Sequence, residues 1–198
     1  MVFVRTAWSS QQDGENGNMA GVYSVHATKK LLDRIKEPVE APVAEPTTKL
    51  GNWYAKPLFW KPQFALFVNE RTFLPVLVPL APASTLLRRL PIVLAMTLEA
   101  HGAPGSFINA EIDAMQLVGV SKTQSRQLVG VMNELAFHAD ISRRREHMTS
   151  EVAMAVMLSR IPIGIMGKSY RFPDQALAAL VEAADQVGPE EETSTSAD

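Results

Sequence analysis

Cysteine is absent from this chain of 198 residues, which excludes disulfides, thiolate metal sites and cysteine nucleophiles together. Histidine is scarce: His26, His101, His138 and His147 stand in no HxxxH or HExxH spacing, so no zinc site is expected and no other metal or cofactor is motivated. No uninterrupted apolar run of about 20 residues occurs, so no membrane span is expected. The opening MVFVRTAWSSQQDGENGNMAG lacks the apolar core of a secretory signal, which points to a cytoplasmic protein of bacterial type. Excess positive charge is missing too. A formal net charge of -2 lacks the signature of a dedicated nucleic-acid binder, so nucleic acid is not the expected partner. There is no Ser-His-Asp order, G-x-S-x-G elbow, Walker loop or G-x-G-x-x-G turn, so catalytic residues cannot be assigned and the balance leans away from an enzyme without excluding one.

What is present is ordinary globular material, 46% hydrophobic and 20% charged, enough for one domain with a substantial core. Residues 1–18 are polar and read as a disordered extension, with Met19 a candidate functional start, and 188–198 read as a disordered acidic tail. Between them, residues 19–187 form a single globular unit. GVYSVH (21–26) is β-prone and feeds TKKLLDRIK, a helix that Thr28 can cap and Pro38 ends. EPVEAPVAEPTTK (37–49) has the repeated proline of an extended surface connector. FALFVNERTFLPVLVPL (64–80) consists of two apolar runs around a polar tip, a β-hairpin.

From Ser84 the apolar period lengthens from two to about 3.6, with helices expected through TLLRRLPIVLAMTLEAHG, AEIDAMQLV, the segment after Gly119, TSEVAMAVMLSRI and DQALAALVEAADQV. The expected fold is α+β: a small antiparallel sheet of the N-terminal strand plus the 64–80 hairpin, covered by a helical second half.

GVSKTQSRQLVGVMNELAFHAD (119–140) begins like a DNA-reading helix-turn-helix. The packing positions do not fit. Six residues after Gly119 stands polar Ser125, where an apolar anchor belongs, and four before it stands Met115, where a small residue belongs. The helix offers something else. Leu128, Val131, Met132, Leu135 and Ala139 make one core-facing stripe, and Arg126, Gly130, Asn133 and Phe137 make a second. Glycine inside a helix costs about 1 kcal/mol relative to alanine, so the space at Gly130 serves either a closely packed neighbour or a ligand between Arg126 and Asn133. Two other clusters join it as a candidate binding face. In VNERT, Asn69, Glu70 and Arg71 form a turn or the mouth of a groove; in LGNWYAKPLFW, Trp53 and Tyr54 belong to a core lid or an interaction surface.

ATKKLLDRIK, LGNWYA, LFVNERTFLPVLVPLAP and KTQSRQLVGVMNELAF, in that order over about residues 22–140, resemble an uncharacterised bacterial family, a domain of unknown function met in plasmid and accessory genes. The resemblance implies a domain beginning near Met19 and makes the last of these segments the family's own helix rather than a DNA reader; it implies no activity. The function these features point to is a non-catalytic cytoplasmic interaction module of an accessory or mobile-element system, with another protein or a second copy of the chain as partner. The alternative is a small enzyme or binder of an anionic ligand such as a nucleotide, Arg126 holding the anion and Glu70 serving as general base. A DNA-binding regulator is the third.

Overall fold

The structure, a computed structural model, describes residues 3–4, 21–145, 150–165 and 169–186. The acidic tail and the N-terminal extension expected to be disordered lie outside the described residues, apart from β1 (Phe3–Val4). The strands β2 (Val22–Ala27), β3 (Trp53–Leu58), β4 (Phe64–Asn69), β5 (Pro75–Pro79) and β6 (Leu117–Lys122) complete one sheet with β1, in the order β1-β6-β2-β3-β4-β5. The helices are α1 (Lys29–Ile35), α2 (Leu86–Ala100), α3 (Gly105–Ala114), α4 (Arg126–Arg145), α5 (Glu151–Ser159) and α6 (Pro173–Gln186). A short hairpin, β7 (Ile163–Ile165) and β8 (Ser169–Arg171), precedes α6.

The α+β class is as expected, but the sheet is mixed rather than small and antiparallel. β1, β6, β2 and β3 run parallel to their neighbours, and only β3, β4 and β5 alternate. The hairpin of 64–80 is present, Asn69 closing one arm and Pro75 opening the other. Two inner strands of the large sheet escaped the sequence reading. WYAKPL forms β3, paired with β2 on one side and β4 on the other. LVGVSK forms β6, so the supposed turn at Gly119 is a strand in register with Ser24 of β2. Neither shows the plain apolar–polar alternation by which a strand is read from sequence: β3 holds a lysine and a proline, and β6 a glycine and a serine.

Side chains of a strand alternate between faces, and each face of this sheet carries its own core. Tyr23, Val25, Trp53, Ala55, Phe67, Val76 and Val120 meet α1, α2, α3 and α6 on one face. Tyr54, Leu58, Leu66, Val68 and Leu77 meet α4 and α5 on the other. The stripe Leu128, Val131, Met132, Leu135 and Ala139 of α4 is part of this second core, as its spacing requires. Truncating fully buried Leu135 or Leu94 to alanine removes contacts worth about 2–5 kcal/mol.

The chain order places a crevice. β2 and β6 are parallel neighbours, yet β2 leads into α1 on the first face and β6 leads into α4 on the second. Diverging helices open a gap at the carboxyl ends of such strands, the usual ligand position in open sheets. The connector after α1 crosses there: Glu40 N donates to Val120 O and Val43 N to Ser24 Oγ, so residues 37–49 are pinned to β6 and β2.

Candidate functional site

Beside that crevice, the start of α1, the end of β3 and the middle of α4 enclose a cleft of about 660 Å³. β3 presents Tyr54, Lys56 and Leu58 on one face by simple alternation, so a lysine stands where the flanking residues enter the second core. From α4, Asn133, Ala136, Asp140, Arg143 and Arg144 follow one helical row into the cleft. Lys29 and Lys30 come from the first turn of α1, and Phe59 and Trp60 from the chain leaving β3.

Contacts tie these parts together. Lys56 Nζ donates to Asn133 Oδ1 at 2.7 Å, and Trp60 Nε1 donates to Asp140 Oδ1. Arg143 lies over the Trp60 ring at 5.2 Å, while Lys30 and Arg34 approach the Phe59 ring at 5.6 and 5.9 Å. Trp60 is buried, but Phe59 is 55% exposed and leaves a ring face for a further partner.

The cleft is strongly cationic. Lys29, Lys30, Lys56, Arg143 and Arg144 line it against the single carboxylate of Asp140, in a chain whose formal net charge is -2. Burial holds the Lys56 ammonium below the usual lysine range, and the like charge of Lys30 lowers it further against the opposing pull of Asp140. Two other cavities lack this excess of cations. The crevice cavity of about 640 Å³, which shares Lys29, sets Lys29 and Lys122 against Asp33 and Glu37. A cavity of about 440 Å³ between α2 and α6 sets Arg160 against Asp174, Glu182 and Asp185.

The structure scatters the residues expected to form a binding face. Asn133 lines the cleft. Arg126 and Gly130 lie on the exposed side of α4, and a Cβ placed at Gly130 would meet nothing within 4 Å among the described residues. Close helix packing therefore does not explain that glycine. Trp53 is fully buried in the first core, and Tyr54, on the opposite face, stacks on His26 at 4.5 Å between ring centroids.

The VNERT tip is a tied turn. Asn69 Oδ1 accepts from Arg71 N at 3.0 Å, Thr72 N at 2.9 Å and Thr72 Oγ1 at 3.0 Å, and its Nδ2 donates to Leu50 O at 2.8 Å. Glu70 Oε1 accepts from Asn52 N at 2.8 Å, and Arg71 Nη1 donates to Lys49 O at 2.7 Å. Gly51, at φ 79°, lets the loop approach: a Cβ there would come within 2.8 Å of both the Glu70 and the Arg71 side chains. Trp53 pairs with Asn69 and Leu58 with Phe64, so the tip sits at the beginning of β3 and the cleft at its end. Glu70 and Arg71 are absent from the lining of the cleft.

Another polar pair went unread. His26 and Ser121, 95 residues apart, are both buried near the carboxyl ends of β2 and β6, with His26 Nδ1 and Ser121 Oγ 2.8 Å apart. Burial lowers the histidine pKa, opposed by the Lys122 carbonyl at 3.3 Å and the charge of Glu70. With Ser24 Oγ accepting from Val43 N, this pair forms a polar seam beneath the connector.

Residues 24–176 match one family from within β2 to within α6. The chain belongs to that family, Domain of unknown function (DUF6933). The DUF6933 span takes in every residue lining the cationic cleft and most of both cores. No curated protein matches the chain. Among the described residues, no group of three or more His, Asp or Glu is placed to hold a metal ion, and no helix is long and apolar enough to cross a membrane.

Proposed function

We propose that this DUF6933 domain is a binding module for a small anionic ligand, held in the cleft around Lys56. One observation carries the reading: five cations face one carboxylate in a concave space of about 660 Å³. Such a volume falls within the range of about 300–1,000 Å³ that small-molecule and cofactor sites occupy. Cations crowded without matching carboxylates repel one another, and a phosphate or carboxylate relieves that repulsion while accepting their hydrogen bonds. The guanidinium groups of Arg143 and Arg144 suit bidentate contact with such an anion. Phe59, exposed at the rim, suits the flat ring of a nucleotide.

Calorimetric titration with inorganic pyrophosphate tests this. Saturable one-site binding is expected, weakening as salt rises from about 0.1 M to about 1 M and the screening length falls from about 10 Å to about 3 Å. Absence of saturation at low salt would contradict it.

A second reading, a protein-contact face, is favoured by the outer row of α4, where Phe137 is 63% exposed beyond Arg126 and Gly130. Phe137→Ser would then abolish concentration-dependent self-association in sedimentation while leaving pyrophosphate binding intact. A chain that stays monomeric at all concentrations gives this face no role between copies.

A further inference from the structure

Among the cations of the cleft, Lys56 differs in placement. Lys29, Lys30, Arg143 and Arg144 are exposed, whereas Lys56 is half-buried in the middle of a strand whose neighbours on that face enter the core. Its stem is fixed by β3 and its Nζ by Asn133 Oδ1 at 2.7 Å, so the amine is held in one position at the cavity wall. The nearby carboxylate, Asp140, is engaged by the indole N–H of Trp60. A phosphate or carboxylate draws on the charge of all five cations; a partly desolvated amine crowded by a second lysine offers something beyond charge. That arrangement is what makes a lysine nucleophilic, because burial and a like charge favour the neutral amine.

We propose that Lys56 captures the carbonyl carbon of the anionic ligand as an imine, which makes the cleft a site for a small aldehyde or keto acid carrying a carboxylate or phosphate. This rests on the anion-binding reading and adds a covalent step to it. The neutral amine donates its lone pair to the carbonyl carbon, the C–N bond forms, and the C=O π electrons pass to oxygen. One amine proton moves to that oxygen, giving a carbinolamine. The nitrogen lone pair then expels the hydroxyl group, which leaves as water with a proton from solvent. One amine, one carbonyl compound and one proton thus become one protonated imine and one water, with no change in oxidation state. Asn133 Oδ1, already the acceptor for Nζ, receives the remaining N–H of the imine and orients it. Lys29, Arg143 and Arg144 hold the anionic end. The lowered pKa of Lys56, caused first by burial and then by Lys30, agrees with this placement.

Reductive trapping tests it on the full chain. The protein is incubated with glyoxylate and cyanoborohydride near neutral pH, and the adduct is located by peptide mass spectrometry. The adduct is expected on Lys56 ahead of exposed Lys36 and Lys61, and absent from that position in Lys56→Arg. Lys30→Met, a change at an exposed residue, is expected to slow labelling of Lys56 near neutral pH and to leave labelling of Lys36 and Lys61 unchanged. Labelling spread evenly over the exposed lysines, or a Lys56 rate indifferent to Lys30→Met, would overturn the proposal. A Lys56 that stays unlabelled in a protein still binding pyrophosphate would overturn the imine and leave the anion reading standing. Propionaldehyde, uncharged, is expected to label Lys56 more slowly than glyoxylate. Equal rates would leave the imine standing and overturn the anion reading.

Discussion

Lys56 Nζ and Asn133 Oδ1 lie 2.7 Å apart, and through that bond the sheet and α4 meet across the cationic cleft. The partners are 77 residues apart in the chain, so the contact belongs to the tertiary fold and reports on its integrity at this point. Asn133→Ala is expected to free the lysine at little cost in stability, within about 1 kcal/mol for an exposed bond, and to weaken pyrophosphate binding by loosening the cation nearest the cavity wall. Denaturant unfolding and calorimetry on the same variant separate the two effects.

Gly130→Ala is expected to stabilise the protein by about 1 kcal/mol, the helix-propensity difference, because the added methyl meets nothing within 4 Å among the described residues. A thermal shift upward with unchanged pyrophosphate affinity supports an unoccupied notch. Destabilisation would mean that something not described in the structure sits over Gly130.

Asn69→Ala is expected to destabilise the domain by about 3 kcal/mol or more. It strands two buried or half-buried backbone N–H groups and the Thr72 hydroxyl, each worth about 1–3 kcal/mol when left without a partner. A loss under about 1 kcal/mol in urea unfolding would contradict the turn-organising role.

Glu111, on α3, is fully buried and accepts from Lys49 N and Leu50 N. Burial pushes its pKa from 4.5 up to about 7, against the lowering effect of those two N–H donors. A carboxyl with a raised folded pKa binds its proton more tightly when folded. Its contribution is therefore fully present below pH 4.5 and is lost as pH rises through about 7. Stability should fall by roughly 3 kcal/mol over that window at about 1.4 kcal/mol per unit, and Glu111→Gln should flatten the slope whatever its effect on the absolute level. Urea midpoints measured at several pH values decide it.

Phe59→Ala removes a largely exposed ring, so stability should change by less than about 0.5 kcal/mol. It should weaken AMP binding and spare pyrophosphate, since only AMP carries a ring to stack. Equal loss for both would mean that the ring acts through Lys30 and Arg34 rather than on a base.

Much of the helical layer was legible in local periodicity. The stripe from Leu128 to Ala139 faces the second core, and Pro173 with Asp174 marks the start of α6. The β4–β5 hairpin was legible because its pairing is local and its tip is polar. β6 was not, because its partner β2 is far away in sequence and Gly119, Val120 and Ser121 imitate a turn. β3 was hidden by its own content, since lysine, proline and two aromatics in six residues read as a core lid or an interaction surface rather than a strand. The site failed for a related reason. Arg143 and Arg144 lie in a basic run late in α4, Lys29 and Lys30 in the first turn of α1, and Lys56 alone in β3; only the packing of α1 and α4 around β3 gathers them. Glu70 and Arg126, chosen for their chemistry, had no geometric reason to meet.

The most direct measurement of the central claim is calorimetric titration of inorganic pyrophosphate into the native chain and into the double variant Lys30→Ala with Arg144→Ala, both changes being at exposed positions. The predicted result is one saturable site in the native chain and an affinity at least about tenfold lower in the variant, a difference of about 1.4 kcal/mol, with unfolding midpoints unchanged. Equal affinities in the two proteins would contradict the assignment of the cleft around Lys56 as the anion site.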